Sequence, residues 1–293
     1  MRRLIDRLHP RRWPDPLQEA WAIAKTMAFA ALIVLIPRIV LAQPFTIPSA
    51  SMEPTVQEGD YIVVSKFAYG WSNYSVTAGT LPISPPPGVG RFMARAPHRG
   101  DVVVFSLPRD DREVYIKRLI GLPGDAVQVR DGVLYVNGVA APQALAKPAL
   151  TTCPDDFAGK SLAARYDEML PGGRPHQIAA CANRQGAANN TAVFHVPANC
   201  YFMLGDNRDN SIDSRFAPLG GRQTAAAESA CAFDSSLAPA LGDDWNGVGF
   251  VPADHLIGKA DVILFSWSHG ASLFKPWTWV MNVQFDRWMK PIA

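Results

Sequence analysis

The chain has 293 residues, 48% of them hydrophobic, which supports a sizeable core and excludes wholesale disorder. Charged residues make up 18%, below the roughly 25% usual in soluble domains, so part of the surface is expected to face something other than water. The 28 basic and 26 acidic residues leave a net charge of +2, too balanced for a general nucleic-acid binder, and 4 cysteines are too few for a disulfide scaffold.

Arg2, Arg3, Arg7, Arg11 and Arg12 crowd the start of the chain. An apolar stretch over residues 20–42 follows, broken only by Lys25, Thr26, Pro37 and Arg38. About 20 helical residues cross a bilayer core, and Lys25 and Arg38 near the ends can carry their charges to the headgroups. The arginines would hold the N-terminus in the cytoplasm. The expected organisation is a cytoplasmic segment 1–19, a transmembrane anchor 20–42 and an extracytoplasmic domain 43–293. Two alternatives stand beside the anchor. One is a signal peptide cleaved after Ala42, where Val40 and Ala42 obey the small-residue rule. The other is a buried or interfacial helix.

Strand signals follow. Residues 61–65, 101–105 and 114–120 are short and rich in β-branched and aromatic side chains. Residues 126–139 read as a hairpin turning at Asp131 and Gly132. Further strands are expected at 200–204 and 259–267. No long amphipathic helix is expected between Gln43 and Ala260, so the fold class is mostly β. Residues 75–98 and 216–247 read as loops or insertions, and 141–195 is weakly patterned. Cys153, Cys181, Cys200 and Cys231 allow two disulfides in three pairings, or buried thiols, and none has metal-ligand spacing. The tail carries Trp267, Phe274, Lys275, Trp277, Trp279, Phe285, Trp288 and Lys290, which suits either a membrane surface or packing on the protein's own core.

The familiar hydrolase, zincin and phosphate-loop motifs are absent, and no histidine sits in a motif (9, 98, 176, 195, 255 and 269); each is expected on the surface or in a loop. Three segments carry candidate chemistry. Residues 47–55 read IPSASMEPT and set two serines between prolines that fix φ, a way of holding a hydroxyl rigidly at a bend. Residues 115–125 read YIKRLIGLPGD. Strand alternation sends Lys117 and Arg118 to opposite faces, and a lysine among apolar groups loses its preference for charge, becoming a competent general base. Residues 205–215 read GDNRDNSIDSR, a polar run directly after a strand. Its Asp206, Asp209 and Asp213 lack the spacing of a calcium loop, so a hydrogen-bonded scaffold lining a site is the better reading.

Together these segments, with residues 59–60, 99–105 and 249–267, closely resemble bacterial type I signal peptidases (leader peptidases), which are membrane-anchored serine–lysine dyad proteases. The resemblance implies Ser51 as nucleophile and Lys117 as general base. It implies Ser49 as an oxyanion-hole donor beside the Ser51 N–H and Ser211 as the residue orienting the lysine. Asp213 and Arg215 would pair to brace that wall. Phe45, Ile47, Pro48, Tyr115 and Ile116 would line the substrate pockets. The implied fold is a β-rich catalytic domain with a smaller β domain inserted, here at about 126–196. No metal or cofactor is implied. The implied partners are membrane lipid and secretory precursors with small residues at −1 and −3 of the cut. The implied place is the bacterial inner membrane, single-pass, with the catalytic domain on the periplasmic side. Ala50 departs from the frequent glycine. Self-cleavage after Ala42 is expected to be hindered because that bond lies on the enzyme's own tether. Two other readings remain: a dedicated protease for a conjugation or pilus substrate, and a tethered scaffold without catalysis.

Overall fold

The computed structural model describes residues 16–77, 90–146, 149–152, 160–181, 187–218, 231–238, 247–267, 277 and 282–292. The chain enters through α1 (Pro16–Val40), a 25-residue helix whose apolar side chains Trp21, Met27, Phe29 and Val34 are exposed. The helix lies where the anchor is expected. Yet among the described residues no helix is long and apolar enough to cross a membrane.

Beyond α1 the chain is mostly β. It passes through β1 (Ala42–Thr46), β2 (Asp60–Ser65), a short helix α2 (Asn73–Thr77), β3 (Val102–Leu107) and β4 (Asp110–Gly121). Next come β5 (Ala126–Arg130), β6 (Val133–Val136), β7 (Val139–Ala140), β8 (Gln143–Leu145), β9 (Ala149–Thr152), β10 (Lys160–Met169), β11 (Pro175–Ala180) and β12 (Phe194–His195). The chain then returns through β13 (Cys200–Leu204), β14 (Val251–Pro252), β15 (Leu256–Ser266) and β16 (Lys290–Pro291).

An 8-stranded antiparallel sheet runs β1-β2-β15-β3-β4-β13-β14, with β16 also on β15. Two 4-stranded sheets, one of β8 to β11 and one of β5, β6, β7 and β12, use only residues between β4 and β13. The hairpin of β5 and β6 turns at Asp131 (φ 47°) and Gly132 (φ 74°), both left-handed as a two-residue turn matched to strand twist requires. The sheet of β5, β6, β7 and β12 does not keep a core to itself. Val127, Leu134 and Phe194 pack with Ile120, Phe202 and Leu204 of the large sheet.

The weakly patterned stretch 141–195 therefore contains real strands, β10 and β11 above all. Their apolar alternation is masked because Glu168 and His176 are buried polar positions. His255 is buried too, stacked on Tyr74 at a ring distance of 4.0 Å, so neither it nor His176 is the surface residue expected. His9 and His269 lie outside the described residues.

Cys200 and Cys231 form a disulfide, and Cys181 is also disulfide-bonded; Cys153 lies outside the described residues. In the tail, Arg287 is buried against Asp60 (2.9 Å) and returns the chain to the sheet, while the rings of Phe285 and Trp288 meet at 5.1 Å and remain exposed. Phe274, Lys275 and Trp279 lie outside the described residues.

Candidate active site

Ser51 sits in a single 3-10 turn (Ala50–Met52) between β1 and β2. Local sequence fixes this turn at its flanks. Ile47, Met52 and Val56 are buried in one apolar cluster with Ile62, Val64, Val102 and Ile257. Fully burying side chains of this size stabilises by about 1.5–3 kcal/mol each, so the turn is held by its apolar neighbours while its hydroxyl residues stay near the surface. Ser51 is half-buried and Ser49 exposed, with their Oγ atoms 3.4 Å apart.

Lys117 comes from the middle of β4, where it stands across from Val103 of β3. Its Nζ donates to Ser51 Oγ at 2.7 Å. The residue is 4% exposed. Burial pushes its amine down from the ordinary lysine value to about 8; Asp213 and Asp206 pull it back up, and Arg215 pushes it down. Arg118, on the opposite face, is buried as well, so neither basic residue is a solvated strand edge.

The polar run 205–215 wraps around this pair. Arg118 donates from Nε to Asp206 Oδ1 and from Nη2 to Oδ2, both at 2.7 Å, and Thr55 Oγ1 donates to Asp206 Oδ2 at 2.6 Å. Asn207 clamps the Ser51 turn directly: its backbone N–H donates to Ser51 O (3.1 Å) and its Nδ2 to Ala50 O (3.2 Å). Arg215 forks onto Asp213 (Nε to Oδ1 and Nη2 to Oδ2, both 2.9 Å), and the Gly205 N–H donates to Asp213 Oδ2 at 3.1 Å. Asp209 accepts from the Cys181 N–H (2.8 Å) and Asn189 Nδ2 (2.7 Å). Asp206, Asp209 and Asp213 are therefore each engaged by protein donors. Facing arginines and N–H donors hold the Asp206 and Asp213 carboxyls below their ordinary range against the opposing effect of burial.

A cleft of about 540 Å³ opens over Ser51 and Lys117. Pro48, Tyr115 and Ile116 line it, joined by Ser49, Ser51 and Lys117. Val114, Asn210, Ile212 and Phe216 also line it and were not anticipated. Phe45 and Ile47 do not; Ile47 is buried in the apolar cluster and Phe45 packs against it, so both support the cleft from beneath. Ser211 lines the cleft, but its Oγ has no hydrogen-bond partner among the described residues, so the expected bond to Lys117 is not formed. Ser211 packs on Gly205, where an added Cβ would lie 2.2 Å from Ser211 Oγ and 2.6 Å from Ser51 O. Gly205, Asn207 and Asp206 were read only as part of a polar scaffold over 205–215, and their bonds to the Ser51 turn and to Arg118 were not foreseen. The glycine and asparagine directly after a strand, opening a polar run, were the available signal.

The family described as "Signal peptidase, peptidase S26" matches residues 20–267. Signal peptidase I of Rickettsia typhi is 35% identical over 282 residues, covering 90% of this chain and 91% of that protein. Signal peptidase I of Rickettsia akari is 36% identical over 290 residues, covering 92% and 91%. Among solved structures, a signal peptidase I from Enterococcus faecalis is 23% identical, with a TM-score of 0.27, covering 56% of this chain and 97% of that one.

Proposed function

The chain belongs to the signal peptidase family, peptidase S26, whose members are serine hydrolases, and we propose that Ser51 and Lys117 carry its reaction as a nucleophile–base dyad. The observation that supports this most is the 2.7 Å bond from a buried lysine amine to a half-buried serine hydroxyl. Serine attacks only when a base takes its proton, and lysine is a base only when neutral.

In the proposed cycle the neutral Lys117 amine removes the Ser51 proton as Oγ attacks the scissile carbonyl carbon. The oxyanion meets Ser49 Oγ and the Ser51 N–H, which lies in the first turn of the 3-10 helix, where donors lack intrahelical acceptors. The tetrahedral intermediate collapses as the C–N bond breaks, and the Lys117 ammonium passes its proton to the departing amine of the mature protein. The signal peptide is left as an ester on Ser51. Water, deprotonated by Lys117, then hydrolyses that ester and restores both groups. Asp213 with Arg215 and Ser211 form the wall behind the lysine. No metal or cofactor enters these steps.

The substrate reading is a secretory precursor with small residues at −1 and −3, which suits a cleft walled by Pro48, Tyr115 and Ile116. The proposal includes a membrane tether. A 25-residue helix is about 37 Å long, its apolar side chains are exposed, and basic residues precede it. Residues 1–19 would then be cytoplasmic, 20–42 the anchor and 43–293 the catalytic domain on the periplasmic side of the inner membrane, with 126–196 as its inserted part. A precursor-processing assay with wild type, Ser51→Ala and Lys117→Ala tests the dyad. Both variants are expected to lose processing, and retention in either overturns the assignment. A panel of precursors separates general from dedicated processing, since cleavage of one alone marks the specialist.

A further inference from the structure

Glu168 lies on β10, within the sheet formed by β8 to β11, and its carboxylate is fully buried. A buried carboxylate needs a partner of opposite charge, and this one has a fork. Arg208 Nη1 donates to Oε1 at 3.2 Å, and Nη2 contacts Oε2. Gln143 Nε2 adds a bond to Oε1 at 2.9 Å, and His176 Nε2 lies 3.3 Å from Oε2. Burial pushes this carboxyl up, but the neighbouring Arg208 and His176 outweigh it and hold it down at about 2.

Arg208 is also a residue of the loop that wraps the dyad. Its N–H donates to Ala179 O and the Ala179 N–H donates to Asp206 O, both at 2.9 Å, so β11 brackets Asn207 from either side. Asn207 is the residue bonded to the Ala50 and Ser51 carbonyls. On its other side the Arg208 carbonyl accepts from Arg215 Nη2 at 2.6 Å, and Arg215 holds Asp213 behind Lys117. One side chain therefore stands between two arms, one reaching the nucleophile and the other the wall of the base.

We propose that Glu168 is a positioning residue for the reaction: through Arg208 it fixes the loop that sets the Ser51 turn and the Asp213–Arg215 wall. The inserted strands thereby act on catalysis although none of them contributes a group to the dyad. This rests on the dyad reading above. A bidentate pair of this kind fixes direction as well as charge, and lysine cannot reproduce it.

The test compares wild type with Glu168→Gln, Glu168→Asp and Arg208→Lys, with the folded fraction measured by circular dichroism. In the folded variants kcat is expected to fall tenfold or more with KM within twofold. The midpoint of the rise in activity with pH is expected to move to higher pH, because a looser wall wets Lys117. Global destabilisation would lower the active fraction without moving that midpoint. Hydrogen exchange at the Asn207 and Arg208 amides is expected to quicken at least tenfold, a readout that needs no activity. Should Glu168→Gln fail to fold, the two charge-retaining variants carry the test. Wild-type kcat, midpoint and exchange in a folded variant overturn the positioning role. A wild type that processes no precursor while these amides still quicken counts against the dyad reading alone.

Discussion

Lys117 Nζ reaches Ser51 Oγ across 2.7 Å from the centre of a paired strand, so the lysine is held by the sheet while the serine is held by a turn. Only the neutral amine can accept the serine proton, and burial brings that form within reach near pH 8. The expected profile of kcat/KM rises with pH through about 8 and levels above it. Activity that is flat from weakly acidic to basic pH would exclude a titrating lysine.

The same burial carries a stability cost. The folded amine has a lower pKa than the unfolded one, so the unfolded chain binds the proton more tightly below the unfolded value. Stability therefore rises with pH between about 8 and about 10.4, and the cost is fully present below that window. Lys117→Met is expected to be inactive and more stable than wild type by about 1–3 kcal/mol at pH 7. Urea unfolding at pH 7 and above pH 10 checks this. A stability difference that does not shrink on the alkaline side would refute the linkage.

Ser49→Ala removes a hydroxyl lying 3.4 Å from the nucleophile oxygen. Losing one oxyanion donor commonly lowers kcat about 10²–10³-fold. Steady-state processing of a precursor peptide should show the loss in kcat with KM nearly unchanged. A loss confined to KM would make Ser49 a binding residue instead.

Gly205→Ala would bring a methyl group to 2.2 Å from Ser211 Oγ and 2.6 Å from Ser51 O. Both contacts are inside van der Waals limits, and the carbonyl belongs to backbone that cannot swing away. Processing should be abolished and the thermal midpoint lowered. Removing the Ser211 hydroxymethyl as well (Gly205→Ala with Ser211→Gly) should restore part of the stability but little activity, because the clash with the Ser51 carbonyl persists.

Asp206→Asn leaves the buried Arg118 guanidinium without its counter-charge. Breaking such a pair by changing one partner typically costs about 3–5 kcal/mol, read as a lower urea midpoint at unchanged slope. The Asp206 carboxyl is held below its ordinary value. Its contribution is therefore complete above the unfolded value of about 3.9 and is lost as pH falls through the lower folded one. The variant should lack that part of the acid transition.

Where backbone pairing and side-chain chemistry agree, the sequence was readable. β13 occupies residues 200–204 as expected, and β2, β4 and the turn at Asp131 and Gly132 follow from β-branched alternation and turn residues. β10 and β11 were not legible, because their buried positions include Glu168 and His176, whose burial makes sense only beside Arg208 from elsewhere in the chain. The dyad stood out because Ser51 and Lys117 each sit in a compact local motif. The Asn207 clamp did not, since a bond between an amide and a carbonyl some 157 residues away leaves no local pattern. The family resemblance implied a pocket position for Ile47, whose side chain is buried in the apolar cluster beneath the Ser51 turn.

β1 pairs with β2 along its whole length, from Ala42 against Ser65 to Thr46 against Tyr61, and Leu41 O accepts from the Lys66 N–H just before it. The peptide bond after Ala42 is thus locked into a ladder rather than presented as a free strand. A second molecule that tried to cut there would have to peel the edge strand from the sheet before the bond could enter its cleft. The bond after Ala42 should accordingly outlast the cleavage sites of precursors, even when many copies crowd together.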